Sequence, residues 1–446
     1  MHKTIYKTND VFGVSSQLIG SYIERTNVDD MFKSALEEKK QIIVYGSSKQ
    51  GKTSLILKHL SQDKYIKVEC SPQTEPADIY RSVLRQLGIR FTDSETYEKS
   101  IEAEVQAKTS FQIKVPFFSE AETEFQASGK NAGTKSRTES TIQFNLELPQ
   151  DISELLLKQK THKIIILENF HYLSQEVQQT LAYDLRVFQD QGIIFIILGI
   201  WREANRLIQF NGDLLDRVIE VPVEPWAKED FEKVIDRGSY LLNVDFSEVQ
   251  ANLLSSSFDS IGVVQELCKH CCINASVNQT TSNIIKIHSN HLEQAIAKKS
   301  EEYGARHVRN FESFVDIPRK TSNQSGKLSL AFPYYFIILL LRIEFPLIEK
   351  GLSRSKLLEE IRKIHHRPDD VRSSDIGTFL HNITQHQINK KIQPPFVDYD
   401  RGNKMVRLID STLYFFLQHS NRAEIIEDIP NPISDDSPLS QLTLEF

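Results

Sequence analysis

The sequence predicts an α/β fold: a parallel-sheet core, a helical lid, a β-hairpin insertion and a C-terminal winged helix-turn-helix domain. Three observations carry this prediction. Short, wholly apolar runs alternate with helix-period stretches through the first 226 residues, the rhythm of a parallel sheet covered by helices on both faces. Two period-two runs interrupt that rhythm between residues 109 and 149. Near the C-terminus, three helix patterns are followed by two short strands joined through a glycine turn.

The elements follow in order. An amphipathic stretch from Ser21 to Leu36 reads as a helix. Ile42-Ile43-Val44-Tyr45 is a buried strand, Lys52–Leu60 a helix, and Tyr65–Cys70 the next strand. Pro76–Leu87 reads as a helix stopped by Gly88. Phe111, Ile113, Val115 and Phe117 alternate with other residues, as do Ile142, Phe144, Leu146 and Leu148; a Gly/Ser/Lys/Thr-rich stretch separates them. This is a hairpin, 109–149, either a decoration of the core or a surface that docks on a neighbour. Ile164–Leu167, Ile193–Leu198 and Val218–Val221 complete the strands, with a helix from Ser174 to Gln189. Residues 227–318 form the helical lid. After a polar linker, residues 319–421 carry helices at Phe332–Ile343, Ser353–His365 and Ser374–Lys390 and the hairpin Phe396–Leu408. Residues 422–446, with three prolines and six acids, read as a flexible acidic tail.

Composition bounds the function. The chain has 446 residues, 53 Lys+Arg against 60 Asp+Glu, and a net charge of −7. This excludes a uniform nucleic-acid coat. Four cysteines (Cys70, Cys268, Cys271, Cys272) make no disulfide framework and point to a reducing compartment. The cluster around His270 lacks a second ligand pair at zinc spacing and reads as small buried side chains on a lid helix. The N-terminus lacks the apolar stretch of a secretory signal. The most apolar run, Tyr334–Leu341, falls short of the ~20 residues that span a bilayer. No membrane association and a cytoplasmic location are expected.

Gly46-Ser47-Ser48-Lys49-Gln50-Gly51-Lys52-Thr53 matches the phosphate-binding P-loop in full, between a buried strand and a helix. Glycines let the backbone curl until its N–H groups converge on phosphate oxygens, and the following helix adds its positive N-terminus. The expected nucleotide ligands are Gly46, Ser47, Ser48, Lys49, Gln50, Gly51, Lys52, Thr53 and Ser54, with ATP and Mg2+ as cofactors. Lys52 supplies a cation to the β- and γ-phosphates, and the Thr53 hydroxyl a metal ligand. Glu168, at the end of the Ile164–Leu167 strand, is the expected metal-side acid or itself the base. Asn169 stands where many such ATPases carry the glutamate that activates water. An amide orients water but is a poor base, so slow hydrolysis is expected.

With these residues the chain resembles the AAA+-like P-loop ATPases of the origin-recognition and STAND (signal-transduction ATPase) type. The resemblance extends over residues 10–420, and the P-loop is its most specific part. Ser21-Tyr22-Ile23-Glu24-Arg25 resembles the segment that places an arginine, here Arg25, near the nucleotide. Phe170-His171-Tyr172-Leu173 follows the acid as in such ATPases. Asp213-Leu214-Leu215-Asp216-Arg217 resembles the segment carrying an arginine finger, in cis or across subunits. This makes Arg217 the first finger candidate, with Arg202 in Gly199-Ile200-Trp201-Arg202-Glu203 second. Ile261–Leu267 resembles the lid motif, with Val263, Val264 and Gln265 in place of the sensor arginine. Val406–Asp410 followed by Tyr414-Phe415-Phe416 resembles the end of the winged-helix domain.

The resemblance implies two functional classes. One is an ATP-switched protein that assembles with itself or a separate effector protein, with bacterial antiviral defence as the family analogy. The other is an ATP-dependent DNA-binding initiator, loader or transposition-type regulator. Residues 327–420 hold 14 Lys+Arg and 10 Asp+Glu, a net +4 inside an acidic chain. For duplex DNA, the expected contacts are His386, Lys390 and Lys391 on the recognition helix and Arg401 and Lys404 on the wing.

Overall fold

The computed structural model describes residues 4–91, 110–117, 138–159, 162–316 and 329–433. At its centre is a five-stranded parallel sheet: β1 (Gln41–Tyr45), β2 (Tyr65–Glu69), β3 (Ile164–Glu168), β4 (Phe195–Gly199) and β5 (Val218–Pro222), in the spatial order β2-β3-β4-β1-β5. β1 pairs with β4 on one side and β5 on the other, so the loop leaving Tyr45 emerges in mid-sheet.

The apolar runs are continuous because both faces are covered. Ile43, Tyr45, Ile165, Leu167 and Ile197 pack with the helices Pro76–Gln86, Pro149–Lys158 and Gln175–Asp190. Their neighbours Ile42, Val44, Ile166, Ile196 and Leu198 pack with Thr26–Glu37 and Lys52–His59. Each fully buried isoleucine contributes about 1.5–3 kcal/mol relative to exposure. A second antiparallel sheet, Arg90–Phe91, Ser110–Phe117 and Thr138–Asn145, stands at the insertion; the polar stretch between its last two strands lies outside the described residues, as do the linker and the end of the tail.

Beyond the sheet, the helices Lys228–Leu242, Ile261–Asn274 and Ser289–Val315 share one apolar core with the C-terminal helices Phe332–Arg342 and Ser411–His419. Tyr303 meets Phe415 edge-on at 5.7 Å and Phe311 meets Phe396 at 5.6 Å. Cys268, Cys271 and Cys272 are free thiols buried in this core, and burial pushes the Cys271 thiol up to about 12. A three-stranded antiparallel sheet is formed by Leu352–Ser353, Met405–Leu408 and Val397–Asp400. No helix among the described residues is long and apolar enough to cross a membrane.

Three expectations need correction. The expected Ser21–Leu36 helix begins at Thr26, because the Asp29 carboxylate holds the Arg25 N–H at 2.7 Å and fixes the preceding residues as an extended arm. The Ser374–Lys390 helix is two helices, Ser373–His381 and Ile383–Asn389, broken at Asn382. The start of the tail is a helix, Arg422–Asp428. Ile425 and Ile429 are buried there, and Arg422 donates to the carbonyls of Leu417 and Ile343 at 2.6 and 2.9 Å.

Candidate nucleotide-binding site

The loop from Gly46 to Thr53 has the backbone its sequence demands. Gly46 and Gly51 have φ of +152° and +89°, and a Cβ on Gly46 would stand 2.7 Å from the Val223 side chain. Lys49 also sits in the left-handed region, at φ +59°. The Lys52 ammonium donates to the Gly46 and Ser47 carbonyls at 2.9 and 2.6 Å, which lays its side chain along the inside of the loop. Burial lowers its pKa to about 8, against the opposing pull of Glu224 and Glu168.

The metal side is assembled from two strands. Thr53 Oγ1 donates to Glu168 Oε1 at 3.0 Å, and Lys67 Nζ holds the other carboxylate oxygen at 2.9 Å. β2 and β3 place Glu69 directly beside Glu168. Asn169 follows Glu168 at the end of β3. It adopts φ +61°, a conformation asparagine tolerates, and its amide donates to Glu69 at 3.0 Å.

Residues Lys49–Leu55 line a cavity of about 150 Å³, closed by the arm carrying Tyr22 and Arg25, by Trp226 and by Gly262 and Gln265 of the lid. Ser54 belongs to this wall. Arg25 is buried; its guanidinium lies 3.7 Å from the centre of the Trp226 ring and donates to the Val223 carbonyl at 2.9 Å. Its position is set by residues that motif reading missed. Asp29, almost fully buried, accepts from the Arg25 N–H and from the Tyr22 hydroxyl at 2.6 Å, and shares a 2.7 Å hydrogen bond with His59. The signal was available in the sequence: Asp29 lies on the apolar face of its helix. Gln265, in the place of a lid arginine, instead holds the N-terminal segment. It accepts from the Gly13 N–H at 3.2 Å and donates to Ser21 Oγ at 2.9 Å.

The front of the loop is anchored from elsewhere. The Ser47 N–H donates to Glu224 at 2.9 Å, while Arg202 donates to Ser47 Oγ at 2.8 Å and pairs with Glu224 at 3.4 Å. Ser48 is gripped by the C-terminal segment: its N–H donates to the Ile409 carbonyl at 3.0 Å, its hydroxyl to Asp410 at 3.3 Å, and its carbonyl accepts from Ser411 Oγ at 3.0 Å. Asp410 is fully buried. Burial opposes its ionisation, yet His307 and Arg306 beside it hold its carboxyl below the ordinary value. Gly262 packs so closely on Lys49 that a Cβ there would stand 2.6 Å from the Lys49 Cβ.

Arg217 is not brought to this site. Its carbonyl accepts from Gln41 at the start of β1, five residues (roughly 16 Å) from Gly46, and its side chain pairs with Asp190. A role for Arg217 on its own nucleotide is thereby corrected; Arg202 is the finger candidate that reaches the loop. Three of the five expected DNA contacts are engaged internally. His386 hydrogen-bonds the Phe314 carbonyl at 2.9 Å, Lys390 pairs with Asp316 at 2.7 Å, and Arg401 donates to Gln175 and the His381 carbonyl. Lys391 and Lys404 are exposed.

The loop, the acid of β3 and the strand order are now placed, and comparison with known families agrees with them. Residues 35–208 match the AAA domain. This AAA domain takes in the phosphate loop, Glu168 and the end of β4, and the sheet core is of the AAA/P-loop ATPase class. Glu224, Asp410 and the lid lie outside the matched segment. No curated protein matches the chain. Among solved structures, it is similar to the Walker-type ATPase PABY2304 of Pyrococcus abyssi (13% identity, 89% of this chain and 96% of that chain, TM-score 0.46). Another is Cdc6p from Pyrobaculum aerophilum (10%, 90% and 92%, 0.35). A third is a STAND protein with a tetratricopeptide repeat sensor from Pyrococcus horikoshii (12%, 90% and 43%, 0.35).

Proposed function

We propose that the chain is an ATP-binding switch that hydrolyses ATP slowly and assembles, with itself or with a separate effector, when its C-terminal segment leaves the phosphate loop. The observation that carries this reading is the grip on Ser48: three hydrogen bonds with Ile409, Asp410 and Ser411, some 360 residues away in sequence, close on the loop expected to hold the phosphates. A group added at the γ-position competes with that grip for the loop tip. ATP and Mg2+ suit the donor set: curled backbone, a buried lysine, and the hard oxygens of Thr53 and Glu168 for a divalent cation. Thr53 and Glu168 would hold the metal, which would offset phosphate charge. Slow turnover follows from Glu168 being paired with Lys67 and Asn169 with Glu69, which leaves neither aligned as a free base.

The test is particle mass by mass photometry with ADP and with a non-hydrolysable ATP analogue. We expect a monomer with ADP and a larger species with the analogue, and a shift toward the larger species when Ser411→Ala loosens the grip. One mass under every condition would overturn the switch. The C-terminal helices and three-stranded sheet have the element order of a winged helix, and exposed Lys391 and Lys404 favour a second reading, duplex binding by the opened form. It requires ATP-dependent binding that weakens steeply with salt.

A further inference from the structure

The strand beside β3 carries a carboxylate that motif reading did not assign. Period two puts Ile66 and Val68 of β2 on the face packed with Pro76–Gln86, and Lys67 and Glu69 on the opposite face. β3 runs in register next to it: Ile165 and Leu167 point the first way, and Ile166 packs with the helix Lys52–His59. Glu168 therefore shares the face of Glu69, at the same level, on the side that carries the phosphate-loop helix. The Cys70 N–H donates to the Glu168 carbonyl at 2.9 Å, which ties the two strand ends together.

The contacts at these ends separate the acids by role. Glu168 has Oε1 on the Thr53 hydroxyl at 3.0 Å and Oε2 on Lys67 at 2.9 Å, and its side chain is only 17% exposed. Asn169 carries an amide, a poor proton acceptor. Glu224 and Asp410 hold the Ser47 N–H and the Ser48 hydroxyl of the loop. Glu69 instead meets Lys67 at 2.7 Å through Oε1 and the Asn169 amide at 3.0 Å through Oε2. Its side chain is 55% exposed, on the edge strand of the sheet, where water reaches it. Acid and amide stand in exchanged places: the carboxylate expected after Glu168 is found across the strand pair, facing the amide that replaces it.

We propose that Glu69 is the general base of ATP hydrolysis, serving from β2 in place of Asn169. The assignment rests on the slow-hydrolysis reading above. As the oxygen of water bonds the γ-phosphorus, one of its protons passes to a Glu69 oxygen. The bond from that phosphorus to the bridging oxygen breaks, the electron pair leaves with ADP, and the proton then passes to solvent. Lys67 bridges Glu69 and Glu168, which makes it a positioning residue for the base. Each Glu69 oxygen already has a partner, so water competes for the remaining lone pairs and turnover stays slow. Asn169 adds one neutral hydrogen bond to a carboxylate that Lys67 already holds.

The experiment is single-turnover hydrolysis of Mg–ATP by the full chain, alongside the affinity for a fluorescent non-hydrolysable ATP analogue measured across a Mg2+ titration. A general base contributes roughly a hundredfold or more. Glu69→Gln should slow hydrolysis at least thirtyfold, while analogue affinity and the Mg2+ midpoint stay within twofold. Adding Asn169→Glu to Glu69→Gln exchanges acid and amide and should recover at least tenfold. A loss below thirtyfold overturns the assignment, and so does a loss that the exchanged pair fails to recover. A Mg2+ midpoint raised beyond twofold in Glu69→Gln would make Glu69 a metal ligand and overturns it as well. Absence of hydrolysis in the wild type overturns the base together with the slow-hydrolysis reading, whereas an ATP-dependent change in particle mass would survive that result.

Discussion

The two halves of the phosphate loop live in different surroundings. Residues Gln50–Ser54 face a cavity; the loop's own geometry and the helix that follows set their backbone, while Thr53 bonds Glu168 and Gln50 accepts from the Ile261 N–H at 3.4 Å. Residues Ser47–Lys49 are held from outside, by Glu224 and Arg202 of the sheet ends, Gly262 of the lid and Ile409–Ser411 of the C-terminal segment. The first half is a binding surface whose backbone comes from adjacent residues. The second is a junction where three distant segments meet, and its state reports whether they are together. Binding and switching are thus separable by mutation, although they share eight residues of sequence.

The largest effect tests the binding half. Lys52→Ala removes the buried ammonium, worth about 2–4 kcal/mol through charge-assisted contacts, or roughly thirty- to a thousandfold in affinity. Fluorescent ADP titration checks this; wild-type affinity would remove the loop from nucleotide binding.

The next is a pH effect on the same residue. The free Lys52 pKa is lowered to about 8, and phosphate raises it on binding. Binding therefore takes up a proton above pH 8, and affinity falls as pH rises. Between pH 7 and 9 we expect a loss of about tenfold. A flat profile would show that the ammonium does not carry its burial penalty into binding.

The switching half responds more mildly. Ser411→Ala removes one hydrogen bond to Ser48, about 1 kcal/mol, and should speed ADP release about fivefold with little change in the association rate. Equal slowing of association and release would instead place Ser411 on the binding half.

The smallest effects are expected where resemblance pointed most directly. Arg217→Ala breaks a partly exposed ion pair at the far end of the sheet, worth about 0–1 kcal/mol, and should leave steady-state hydrolysis within twofold. Asn169→Ala should do the same, since its amide serves Glu69. A tenfold loss of hydrolysis in assembled Arg217→Ala protein alone would restore a role across subunits.

Much of this molecule was legible in its residues. Ile42–Tyr45, Ile164–Leu167 and Val218–Val221 read as buried strands because a strand covered on both faces needs apolar residues at every position. The phosphate loop and Glu168 were legible because local backbone geometry and a strand end place them, and both follow from short spacings. Asp29, Glu224 and Asp410 were not legible as site residues, because each acts through a partner distant in sequence or through another residue's backbone. Arg217 and Asn169 show the converse: their motifs matched, but side-chain direction is a tertiary property. One places its guanidinium on Asp190 and the other its amide on Glu69. By itself, the sequence determined the sheet and its phosphate loop, since these depend on periodicity and local conformation. Only the tertiary structure decided what grips the loop, because contacts across some 360 residues depend on how three segments pack and leave no periodic trace in the chain.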